Sequence, residues 1–120
     1  MANPFSYCEL HTSNPDAAKT FYGQLLDWKL KDMQTPGGVY TEIQPGEGFG
    51  GGLMGDGPMA LSYWLTYIRV ASLDDSLRRA KELGATVLMG RTTIPDVGWF
   101  ALLADPTGAR FGLFEPVKEK

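Results

Sequence analysis

The chain has 120 residues, 43% of them hydrophobic and 21% charged, with a net charge of −3. That is one domain's worth of ordinary globular sequence, long enough to bury roughly 65% of its unfolded surface without staples. The acidic balance argues against nucleic acid or an anionic membrane as partner, and a single cysteine excludes an internal disulfide. No run approaches 18 apolar residues, and "MANPFSYCEL" lacks the basic start and long apolar stretch of a signal peptide, so a cytoplasmic protein is expected.

Along the chain, the strand-like "FSYCELHT" runs into "SNPDAAKTFYGQLLDW". There Asn14 suits an N-cap, Pro15 the first helical position, and Asp16 complements the helix dipole. Three strand candidates follow: "WKLKDMQ", then "VYTEIQ" after the turn "TPGG", then "FGGGLM". A glycine-rich linker at about 55–61 leads to a fifth strand, "SYWLTYIRV", and a second helix, "ASLDDSLRRAKELGA". Ser72 is its cap, Asp74 and Asp75 occupy its first turn, and Gly84 stands where a helix stops. "TVLMGR", "GWFALLA", the turn "DPTG" and "ARFGLFE" complete the pattern.

The second half repeats the first. Sliding the first segment by 58 residues sets Asn14 on Ser72, Asp16 on Asp74 and Leu25 on Leu83, which are helix starts and apolar helix positions. The expectation is an α+β chain of two βαβββ units, at about 5–54 and 62–116, within a single domain spanning 1–120.

Side chains on a strand alternate between faces. Tyr7, Glu9 and His11 therefore share one face of the first strand, and Cys8 lies on the other, apart from any ion that Glu9 and His11 could hold. In the fifth strand Tyr63, Leu65, Tyr67 and Arg69 share a face. A buried carboxylate costs several kcal/mol unless paired, so Glu9 needs water, a proton or a cationic partner such as Arg69 or Arg110. "GEGFGGGLMGDG" lacks the Gly-Lys-Ser/Thr of a phosphate loop, and reads as a strand plus linker.

The paired βαβββ pattern, with "NPDAAKTFYGQLLDWKL", "VASLDDSLRRAKELGATVL" and "ADPTGARFGLFEP", resembles the vicinal oxygen chelate superfamily over residues 5 to 116. That superfamily includes glyoxalase I, bleomycin-resistance proteins and extradiol dioxygenases. The resemblance implies a curved, barrel-like mixed sheet around a cavity, helices outside, and a homodimer. In metal-dependent members the ligands come from equivalent points on the first and last strand of each unit. Here those positions fall on Tyr7, Leu65, Gly112 and the stretch Gly51 to Leu53, none of which suits a divalent ion.

The resemblance therefore implies a protein that binds a small organic molecule in the cavity between its units, without the family's standard metal and with no other cofactor. Its expected lining is Tyr7, Glu9, His11, Tyr63, Tyr67, Arg69, Trp99 and Arg110. The alternative is a lyase, isomerase or dioxygenase with zinc, nickel, manganese or iron at a displaced site made of Glu9, His11 and Glu42, and Glu9 as the catalytic proton shuttle. A third reading is a structural or regulatory module with a vestigial cavity.

Overall fold

The computed structural model describes residues 2–56 and 61–118. Residues 57–60 of the expected linker lie outside the described residues, as do the chain's first residue and its last two. Eight strands and two helices alternate as β1 (Phe5–Thr12), α1 (Pro15–Leu25), β2 (Lys29–Thr35), β3 (Gly38–Gln44), β4 (Gly51–Gly55), β5 (Tyr63–Arg69), α2 (Leu73–Glu82), β6 (Thr86–Ile94), β7 (Gly98–Ala104) and β8 (Arg110–Pro116). The fold is α+β, built as βαβββ twice. Among the described residues no helix is long and apolar enough to cross a membrane.

Two compact units divide the chain: Tyr7–Leu65, and Met1–Ser6 together with Thr66–Lys120. In the first, the strand order is β2-β3-β4-β1, with β1 parallel to β4 and the other neighbours antiparallel. α1 begins where Asn14 Oδ1 accepts from Ala17 N at 3.1 Å, followed by Pro15 and Asp16. Its inner side packs Ala18 and Tyr22 on Leu10, Ile43 and Leu53, with Trp28 and Leu30 alongside. These residues come from alternate positions of three strands, so one sheet face is committed to the helix. Lys19 ties α1 to β2 through Asp32 at 3.1 Å, and Thr41 Oγ1 donates to the same carboxylate.

In the second unit the order is β5-β8-β7-β6, with β5 parallel to β8. Residues Asn3 to Ser6 join it: Arg69 N donates to Pro4 O, and Asn3 Nδ2 to Arg69 O. α2 is capped by Ser72 Oγ accepting from Asp75 N, and Glu115 Oε1 on β8 accepts from Leu73 N at 2.7 Å. Gly84, at φ 101°, follows the C-terminal turn. Leu73, Ala101, Leu103, Leu113 and Val70 form the core beneath the helix. β6 runs on to Ile94, beyond the expected "TVLMGR", because irregularities between Val87 and Thr92 absorb the break in register at Gly90.

Candidate functional site

In the first compact unit the sheet face opposite α1 carries Tyr7, Glu9 and His11 from β1, because Leu10 between them is committed to the core. β3 places Tyr40 and Glu42 on the same face for the same reason, with Thr41 and Ile43 turned toward the helix. The alternation brings four polar groups into one connected chain. Tyr7 Oη lies 2.7 Å from Tyr40 Oη, Tyr40 Oη donates to Glu9 Oε2 at 2.6 Å, and Glu9 Oε1 lies 2.7 Å from His11 Nε2. Tyr63, at the start of β5, stacks on the His11 ring with centroids 5.1 Å apart and planes 15° from parallel.

Glu9 and His11 are 7% and 5% exposed, so their charges and polar atoms must be met inside the protein. The hydrogen bonds meet that requirement and also set a direction. Tyr40 has one proton and gives it to Glu9, so its oxygen receives the Tyr7 hydroxyl. Burial pushes the Tyr7 phenol up to about 12. Burial first, and then the Glu9 carboxylate beside it, raise Tyr40 further still, far above the ordinary phenol range. Both remain neutral donors at physiological pH.

Gly52 of β4 makes the arrangement fit. It is paired with Glu9 on one side and Glu42 on the other. A Cβ there would collide with both the Tyr40 and Tyr7 hydroxyls, so only glycine leaves room for the two phenols. The second unit has a parallel feature: Gly112 of β8 is covered by the Tyr67 ring, which a Cβ would strike. A cavity of about 510 Å³ opens beside Tyr7, lined also by Asp27, Lys29, Glu42, Gln44 and Glu47.

Of the residues expected to line a ligand site, Tyr7, Glu9, His11 and Tyr63 are thus brought together. Tyr67, Arg69, Trp99 and Arg110 belong to the other compact unit. There Tyr67 is buried edge-on to Phe100, Arg69 and Arg110 are exposed, and Trp99 lies 4.7 Å beneath the Arg91 guanidinium. Tyr40 and Gly52 were missing from the expected site. The alternation of "VYTEIQ" places Tyr40 on the Glu42 face, but nothing local says that its hydroxyl reaches Glu9, 31 positions away.

The displaced metal site of Glu9, His11 and Glu42 is not assembled. Among the described residues no three His, Cys, Asp or Glu side chains come together to hold an ion. Glu9 Oε1 and His11 Nε2 face each other in a hydrogen bond rather than converging on a shared point, and Glu42 Oε1 accepts instead from Gln44 Nε2 at 2.7 Å.

The chain is of the vicinal oxygen chelate superfamily. Within it, residues 8–114 match the glyoxalase-like domain, and the chain belongs to that family. It is 32% identical over 115 residues to "Putative glyoxylase CFP32" of Mycobacterium bovis, and equally to the protein of that name in Mycobacterium tuberculosis. The match takes in 93% of this chain but spans only 44% of either relative's length. A hypothetical protein, BH1468 of Bacillus halodurans, shares the fold over 100% of this chain and 99% of its own, with TM-score 0.74 and 16% identity. The methylmalonyl-CoA epimerase of Mycobacterium tuberculosis aligns over 95% of this chain and 88% of its own, with TM-score 0.70 and 16% identity.

Proposed function

We propose that this glyoxalase-like protein binds a small organic molecule on the sheet face bearing Tyr7, Glu9, His11, Tyr40 and Tyr63, without the family's standard divalent metal. One observation carries the reading. Where the resemblance expects last-strand ligands, within Gly51 to Leu53 and at Gly112, the glycines Gly52 and Gly112 are overlaid by tyrosine side chains. A hydroxyl or ring now fills the space a metal ligand would need, and a hydrogen-bonded, aromatic-bordered surface replaces the ion. Such a surface holds a ligand by stacking and directed hydrogen bonds. In this reading the protein is a cytoplasmic homodimer, and the large exposed apolar side chains, including Phe21 at 57% and Leu25 at 62%, are available for the contact.

A second reading, an acid–base enzyme of lyase or isomerase type, is favoured by the buried Glu9–His11 pair itself. The test for both begins with elemental analysis after exposure to zinc, nickel, manganese and ferrous iron and dialysis, then a thermal-shift screen of small organic molecules. Metal-free protein stabilised by a ligand supports the proposal. One retained ion per chain overturns it.

A further inference from the structure

The direction of the hydrogen bonds in the candidate site separates the roles of its two innermost residues, an inference that rests on the ligand-binding reading above. Both Glu9 oxygens are engaged from inside the protein, Oε2 by the Tyr40 hydroxyl and Oε1 by His11 Nε2. With Glu9 ionised beside a neutral imidazole, the carboxylate accepts, Nε2 carries the proton and Nδ1 keeps a lone pair. No second hydrogen bond of the imidazole forms among the described residues, yet no buried side-chain nitrogen or oxygen there lacks a partner. Nδ1 therefore keeps access to the outside, although the residue as a whole is only 5% exposed. Among the described residues, the Glu9 carboxylate and the Tyr63 ring flank the imidazole.

We infer that His11, rather than Glu9, is the residue that meets the ligand: its Nδ1 accepts a proton from an acidic hydroxyl of the bound molecule, and Glu9 is a positioning residue locked by Tyr40 and Tyr7. The step balances simply. The ligand O–H bond breaks and leaves its electron pair on oxygen, an N–H bond forms at Nδ1, and the Nε2 proton stays against Glu9. The product is an imidazolium facing the ligand's oxyanion, with its positive charge stabilised from behind by a buried carboxylate. Tyr40 and Tyr7 donate toward Glu9 and hold that carboxylate in one orientation. The ligand class is a small molecule with an acidic hydroxyl, a phenol or an enol, bound as its anion.

His11 is the chain's only histidine, so imidazole signals report it without interference. In nitrogen-15 NMR of the free protein the ring is expected as the Nε2–H tautomer. With 4-nitrophenol as probe, below its solution pKa, wild type should take it up in the coloured phenolate form as both ring nitrogens become protonated. His11→Gln should lose that phenolate signal. Glu9→Gln should weaken it roughly ten- to hundredfold, since a charged hydrogen-bond partner is removed. An Nδ1–H tautomer, or a phenolate signal that survives His11→Gln or is absent from wild type, overturns the assignment. Retention of the probe as neutral phenol, read by equilibrium dialysis, would defeat this inference while leaving the binding reading intact. Should His11→Gln not fold, the wild-type tautomer and the bound-state ring signals decide the matter alone.

Discussion

Glu9 and His11, two positions apart on β1, share a 2.7 Å hydrogen bond along one face of the strand, almost wholly out of solvent. Consecutive same-face residues on a strand are near neighbours, so this pairing needs no long-range contact. What holds it in place does: Tyr40 reaches Glu9 from β3, and Tyr63 covers His11 from β5.

Tyr40→Phe removes a hydrogen bond to the buried Glu9 carboxylate, at a cost of about 1–3 kcal/mol. Tyr7→Phe removes the hydrogen bond to Tyr40, which joins two neutral groups, and should cost less, about 0.5–1.5 kcal/mol. Urea denaturation of the two variants checks the order. An equal or reversed order would show that the chain of donors does not end at Glu9.

Gly52→Ala drives a methyl group into the Tyr7 and Tyr40 hydroxyls and should destabilise the protein by about 1–3 kcal/mol, the usual cost of overpacking. The near-UV circular dichroism of the tyrosines should change with it. Adding Tyr40→Phe to Gly52→Ala should return part of the loss, because the substitutions share a contact. Strict additivity would mean that the methyl is accommodated elsewhere.

Alkaline pH tests the buried phenol. The Tyr7 pKa is raised from 10.0 to about 12, so the folded state holds its proton more tightly than the unfolded chain. Its contribution to stability is fully present below pH 10 and is lost as pH rises through 12. Ultraviolet titration should show at least one tyrosine ionising well after the exposed ones, and Tyr7→Phe should remove a late-titrating group. A late phase unaltered by Tyr7→Phe would reassign it.

Glu115 supplies its carboxylate to Leu73 N at the start of α2, in addition to the Ser72 cap. Glu115→Ala should cost about 1 kcal/mol, the worth of a typical N-terminal cap, and should leave ligand binding in the first unit unchanged. Thermal melts and hydrogen exchange at the first turn of α2 provide the measurement. Unchanged exchange at Leu73 would assign the role to Ser72 alone.

Much of the fold can be read directly from local order. Asn14-Pro15-Asp16 and Ser72 with Asp74 and Asp75 start two helices because short polar side chains cap free N–H groups wherever the backbone permits. The 58-residue repetition of those starts, with three strands after each, is enough for two βαβββ units. Period-two alternation likewise puts Tyr7, Glu9 and His11 on one side of β1 without any knowledge of the rest of the molecule. The alternation also assigns Tyr40 and Glu42 to a common face, but it cannot rank them. Only the register of β3 and β1 on either side of β4, with Gly52 between them, decided that Tyr40 reaches the carboxylate while Glu42 turns to Gln44. Strand pairing is a long-range property, set by which residues stand opposite one another across the sheet. A distance between side chains 31 positions apart therefore exists only once the sheet has formed.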